Sequence, residues 1–109
     1  MRKMLVALPA LNEEATVADV VGRVPRSLGG VDRVDVVVVD DGSTDATAAR
    51  AASAGALVLS HGRNLGLGEA FRTALHHARE HGYRWMVTMD ADGQFPPEGV
   101  TEVAGPVLA

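Results

Sequence analysis

The most chemically pointed stretch of this sequence is Asp90-Ala91-Asp92-Gly93-Gln94. Two carboxylates two residues apart at a strand end can point the same way, and close carboxylates repel unless a cation lies between them. Oxygen donors select hard ions, so Mg2+ or Mn2+ is the expected cofactor, held by Asp90 and Asp92 with the amide oxygen of Gln94 in reach. Asp and Gly also abound in turns, so the short motif gains its weight from the apolar strand that leads into it. A second acidic cluster is Asp40-Asp41-Gly42-Ser43-Thr44-Asp45. Ser43 and Asp45 are good helix N-caps and Gly42 suits a turn, which leaves two carboxylates unaccounted for. Asp41 is the one expected to accept a base N–H or a ribose hydroxyl. The third cluster, Gly62-Arg63-Asn64-Leu65-Gly66-Leu67-Gly68, is a glycine-rich helix start. Its backbone N–H groups can approach a pyrophosphate with Arg63 as counter-charge. It matches the dinucleotide fingerprint poorly, because Phe71 stands at the third glycine position, and a loop that touches no ligand fits it equally well.

The elements that must position these clusters alternate regularly. Apolar runs at residues 4–8, 34–39, 56–60 and 85–89 read as strands, and the four consecutive valines of the second suit a buried parallel strand. The first run is expected to end at Pro9. Between them, residues 16–24 carry valines at helical spacing up to Pro25, and residues 45–54 form an alanine-rich helix closed by Gly55. Residues 67–81 are the best helix, with Leu67, Ala70, Phe71, Ala74, Leu75 and Ala78 on one face expected to be core. Pro96-Pro97-Glu98 can open a last helix that Gly99, Gly105 and Pro106 would sustain poorly. This βαβαβαβ pattern predicts an α/β fold with a doubly wound, mainly parallel sheet of strand order 3-2-1-4. Ligands bind such sheets at the carboxyl ends of the strands, where the order reverses, and every conspicuous polar cluster here follows a strand.

Composition narrows the classes. The 109 residues predict a single domain, 47% of them apolar and 22% charged, as in a soluble globular protein. A net charge of −4 is the wrong sign for a domain that lives on nucleic-acid phosphates, so no nucleic-acid partner is expected. The absence of cysteine excludes disulfides and thiolate metal sites and fits a reducing compartment. No apolar run approaches the about 20 residues of a spanning helix. A cytoplasmic chain is expected, open to peripheral association with a membrane. His76, His77 and His81 suit the C-terminal end of the long helix. His61 stands in a strand-end loop but belongs to no metal-ligand spacing.

Taken in order, four motifs resemble a known family: Leu8-Pro9-Ala10-Leu11-Asn12-Glu13-Glu14, Val37 to Asp45, Arg63-Asn64-Leu65-Gly66-Leu67-Gly68, and Met89 to Gln94. Together they look like the N-terminal, donor-binding half of a family 2 glycosyltransferase of the GT-A fold, closest to the dolichol- or polyprenyl-phosphate mannose synthase-like branch. The resemblance implies a UDP- or GDP-sugar donor, held at Pro9, Ala10, Leu11, Asn12, Glu13, Asp41, Arg63, Gly68, Asp90 and Ala91. It places the metal at Asp90, Asp92 and Gln94, implies an inverting transfer, and suggests a polyprenyl phosphate or other lipid acceptor. No catalytic residue is assigned, because Glu98 and Glu102 are the only carboxylates among the fifteen residues after Gln94 and neither matches the family's base motif. The chain is therefore expected to be a truncated domain spanning residues 1–109. The alternative is a non-catalytic nucleotide-binding or self-assembling module. A fourth strand without its usual neighbours predicts an exposed edge and a homo-oligomer. The run into D-x-D-G also resembles the haloacid-dehalogenase signature, but that family places it on the first strand with Thr where Gln94 stands.

Overall fold

A computed structural model describes residues 1–91 of the chain. The apolar runs become four strands and the amphipathic stretches three helices: β1 (Lys3–Ala10), α1 (Val17–Arg23), β2 (Arg33–Asp40), α2 (Thr47–Ser53), β3 (Leu57–Ser60), α3 (Leu67–Glu80) and β4 (Trp85–Thr88). All neighbouring strands are parallel and their order is β3-β2-β1-β4, the doubly wound arrangement expected from the sequence. The helix expected to open at Pro96 lies outside the described residues.

Both faces of the sheet are covered, which is why its central strands read as continuous apolar runs rather than as alternating ones. Met4, Val6, Leu8 and Ala10 of β1 point with Val34, Val36 and Val38 of β2 into a core closed by α1 and by Ala51 of α2. Leu5, Ala7, Val37 and Val39 point the other way, against Ala70, Ala74 and Ala78 of α3. An alanine edge lets α3 approach the sheet closely. The bulkier residues of the same face then flank the contact instead of entering it. Leu67 is 70% exposed and Phe71 45%, so the expectation that both belong to the core is corrected.

Pro9 does not end β1 as expected; the strand runs on to Ala10 in register with Asp40. The carbonyls of Lys3 and Ala7 accept from Arg84 and Met89, so odd positions of β1 face β4. Pro9 is odd, and the N–H it lacks lies on the β4 side. The β1–β4 pairing stops at Ala7–Thr88 while the β1–β2 pairing continues three residues further. Proline thus ends one ladder and leaves the other intact, at the point where the strand order reverses.

The tight alanine contact yields a stability test. Ala74 is 1% exposed, so Ala74→Leu should destabilise the fold by about 1–3 kcal/mol through overpacking. Phe71→Ala should cost less than Ala74→Leu, about 1 kcal/mol, because 45% of the residue is exposed. Urea unfolding followed by circular dichroism measures both, and a larger loss for Phe71→Ala would contradict this packing.

Candidate functional site

The loops after β1 and β2 are built from each other's polar groups. Asn12 takes a left-handed conformation (φ 53°), which asparagine tolerates better than most residues. Its N–H donates to Ser43 Oγ (2.9 Å), and its side-chain oxygen accepts the Thr44 N–H (2.9 Å). Glu13 N–H donates to the Thr47 hydroxyl (2.9 Å), and the Glu14 carboxylate accepts the Ala46 N–H (2.9 Å). Ser43 therefore does not cap α2 as the sequence suggests. Its hydroxyl serves the neighbouring loop, and α2 starts at Thr47 rather than at residue 45. Asp45 keeps part of the expected role, accepting the N–H and the hydroxyl of Thr47, the first residue of α2.

Asp41 ties the loop after β3 to the end of β2. Its Oδ1 accepts the Leu65 N–H (2.8 Å) and meets His61 Nδ1 (2.8 Å), and its Oδ2 accepts the Gly66 N–H (2.9 Å). The other ring nitrogen of His61 is 2.7 Å from the Thr73 hydroxyl of α3. Burial pushes the Asp41 carboxyl upward, but the Leu65 N–H, the His61 ring and the Gly66 N–H together outweigh it and hold its pKa below the ordinary carboxylate value. Gly42 has φ +88°, and a Cβ there would lie 2.4 Å from the carbonyl carbon of Arg63 and 2.5 Å from the Asn64 nitrogen. Only glycine lets the 63–64 backbone lie against the turn after β2. Arg63 itself is exposed, and a Cβ on Gly68 would meet nothing within 4 Å, so open space lies beside the first turn of α3.

The end of β4 is joined to the same edge. Met89 N–H donates to the Ala7 carbonyl (3.0 Å), and the Thr16 hydroxyl donates to the Ala91 carbonyl (2.6 Å). Ala91 is buried in the cluster that holds β1 and α1, while Asp90 beside it is exposed. Of the three expected metal ligands, Asp90 is described, and Asp92 and Gln94 lie outside the described residues. Among the described residues there is no group of three or more acidic or histidine side chains that could hold a metal. The oxygen donor of Asp90 has the right chemistry for a hard divalent ion, and its exposure leaves it accessible.

The expected site residues thus fall along one edge of the sheet. Pro9 is half-buried and the Ala10 side chain is buried, so Ala10 faces the edge with backbone alone, its carbonyl accepting the Asp41 N–H (2.9 Å). Leu11 and Asn12 are exposed, and Glu13 is partly exposed. His76, His77 and His81 lie at the far end of α3, where the His81 carbonyl accepts from Lys3 at the start of β1 (2.7 Å). There, burial and the neighbouring His81 push the His77 pKa down. Sequence reasoning missed the structural part played by His61, Thr73, Thr16 and Thr47. The placement of His61 directly after β3, beside the carboxylates that follow β2, was the one available signal.

This edge can be set beside known proteins. The sequence pattern described as Glycosyl transferase family 2 matches residues 5–109. The chain belongs to that family. This family 2 chain is 38% identical over 106 residues to an uncharacterised protein of Methanocaldococcus jannaschii, covering 97% of itself and 42% of that protein. It is 32% identical over 114 residues to polyprenol monophosphomannose synthase of Mycolicibacterium smegmatis, covering 99% of itself and again 42% of the relative. Its fold is similar to crystal structures of glucosyl-3-phosphoglycerate synthase from Mycobacterium tuberculosis. The complex with Mn2+, UDP and glucosyl-3-phosphoglycerate superposes with a TM-score of 0.68 at 37% identity, over 83% of this chain and 33% of that one. Another structure of that synthase holds Mg2+ and UDP. The chain spans less than half the length of these relatives.

The Asp41 clamp makes acid stability predictable in sign. Its folded-state pKa lies below the unfolded value of about 3.9, so its contribution is complete above that value and is lost as pH falls through the lowered one. Asp41→Asn should cost about 1–3 kcal/mol at pH 7, because an amide turns donors toward backbone N–H groups. The gap between wild type and variant should narrow as pH falls below the ordinary carboxylate range and the wild-type carboxylate protonates. Urea unfolding of both proteins across that range tests this, and a gap that stays constant would contradict it.

Proposed function

We propose that this chain is the donor-binding part of a glycosyltransferase that holds a nucleotide-diphosphate sugar with Mg2+ or Mn2+ for inverting transfer. The observation that carries the reading is the edge itself. Four strand-end loops are hydrogen-bonded into one rim at the reversal of strand order, with Asp90 and Arg63 exposed on it. The UDP, Mn2+ and Mg2+ in the structures of the mycobacterial synthase support the donor class and the ion.

In this reading residues 9–13 and Asp41 take the base and ribose. Arg63 offers positive charge to the diphosphate, and the open space beside Gly68 admits it close to the helix start. Asp90, with Asp92 and Gln94, would hold the ion. Bound there, a divalent cation supplies Lewis-acid stabilisation of the charge that develops on a departing nucleoside diphosphate. Carboxylates alone would repel that diphosphate, so donor affinity should depend on the cation. The chain's own part is to bind and orient the donor; no residue is assigned as catalytic base.

The name of the mannose synthase relative supports a polyprenyl phosphate or other lipid acceptor, and with it a cytoplasmic chain working at the membrane periphery. No helix among the described residues is long and apolar enough to cross a membrane. Among the described residues β4 pairs on one side only, and Leu67 and Phe71 stand exposed, which supports self-association along this part of the molecule.

Calorimetry of the 109-residue chain with UDP or GDP should show binding that requires Mn2+ or Mg2+. Asp92→Ala should weaken it by about tenfold or more, the loss of roughly one charge-assisted contact. Metal-independent binding, or none at millimolar nucleotide, would overturn the donor reading. Light scattering should give a mass above the 11.4 kDa monomer, and a clean monomer would remove the homo-oligomer from it.

A further inference from the structure

His61 is a buried titratable group at this rim that the reading above leaves without a task. Its side chain is 8% exposed and that of Asp41 9%. A carboxylate accepts hydrogen bonds and cannot donate them, so Nδ1 of His61 carries a proton and donates to Asp41 Oδ1. In the neutral ring Nε2 is then the acceptor, matched by the Thr73 hydroxyl. The surroundings fix both the tautomer and the plane of the ring, and the ring joins the loop after β3 to the end of β2 and to α3.

The acceptor count on Asp41 gives this a consequence. Each carboxylate oxygen has room for about two donors in its plane. Oδ1 has both, from Leu65 N–H and His61, whereas the Gly66 N–H is the one donor found on Oδ2 among the described residues. Among the described residues, one acceptor place on Oδ2 is left over. Its direction is set by how the carboxylate is turned, and the anchoring of Oδ1 decides that.

We infer that His61 is a positioning residue, which holds the carboxylate of Asp41 so that the remaining acceptor place on Oδ2 takes a donor group of the nucleoside, a ring N–H or a ribose hydroxyl. The inference rests on the nucleotide-sugar reading of the site. Thr73 completes it by holding the far side of the ring. A histidine that only stabilised the loop would need the same two hydrogen bonds, but its loss would be felt in stability and not in nucleotide affinity.

Two substitutions separate these roles. The side-chain nitrogen of asparagine can occupy the place of Nδ1, while glutamine reaches the place of Nε2. His61→Asn keeps a donor for Asp41 and gives up Thr73; His61→Gln keeps Thr73 and gives up the donor. Calorimetry with Mn2+ and UDP or GDP, whichever the wild type binds more tightly, should show His61→Asn within about threefold of wild type. His61→Gln should be weaker by about tenfold, in keeping with one lost hydrogen bond to a charged group. Thermal unfolding of both variants accompanies the titrations. Equal affinity losses, or losses that follow the fall in melting temperature instead of the asparagine–glutamine difference, overturn the assignment of His61. Failure of the wild type itself to bind either nucleotide overturns the donor reading instead. Imidazole 15N shifts of the nucleotide-free protein give an independent check: an Nδ1-protonated ring supports the geometry, and an Nε2-protonated ring refutes it whatever the nucleotide does.

Discussion

Four parallel strands that stop side by side leave a row of loop N–H and C=O groups with no ladder to join. Each such group costs free energy if it is buried without a partner. The remedy in this protein is reciprocal. Asp41 receives three donors from the loop after β3, the loop after β2 receives Asn12, and Thr16 reaches the carbonyl that follows β4. Among the described residues, no buried side-chain nitrogen or oxygen is left without a hydrogen bond. The loops therefore hold one another in place, and a ligand meeting them would have less ordering to impose than it would on four independent loops.

That arrangement depends on where the sheet lets its strands part. A proline on an odd position of β1 removes a donor on the β4 side alone, so the β1–β2 pair stays closed while the β1–β4 pair ends early. Thr16 then bonds to Ala91 beyond the last β1–β4 pair and keeps the chain after β4 close to α1 without a ladder. The early parting of β1 and β4 at the reversal of strand order follows from the lack of one N–H, and the reach of one hydroxyl holds the chain beyond it. Glycine does comparable service at residue 42, where any side chain would collide with the Arg63–Asn64 backbone.

How much of this could be read from the sequence depended on how local the interaction was. The valine runs identified the strands because burial on both faces needs no information beyond the run itself. Strand order followed from alternation and short connections. The Ser43 cap failed because the hydroxyl answers a donor 31 residues away, and cap chemistry reads only the next turn. Leu67 and Phe71 were assigned to the core because helical spacing tells which residues share a face. It does not tell how close the helix lies to the sheet, which the three buried alanines decide. His61 carried no motif at all, since its partners stand 20 positions before it and 12 after it.

The acidic balance of the chain invites the idea that its carboxylates wait for a cation, and the structure divides them more finely. Asp40 accepts the Ser43 N–H, Asp41 the loop after β3, Asp45 the start of α2, and Glu14 the Ala46 N–H. These four are near the rim, yet each already answers a backbone donor, and backbone donors neutralise a carboxylate's need for a counter-charge in part. Asp90 differs in being exposed at the end of a strand. Among the described residues, negative charge at the rim thus divides into carboxylates tied to backbone donors and, at Asp90, one that is exposed to solvent. A diphosphate approaching this edge would meet the field of the first group whether or not a metal were present. A cation beside Asp90 and the exposed guanidinium of Arg63 are the features that can turn that field from repulsive to attractive.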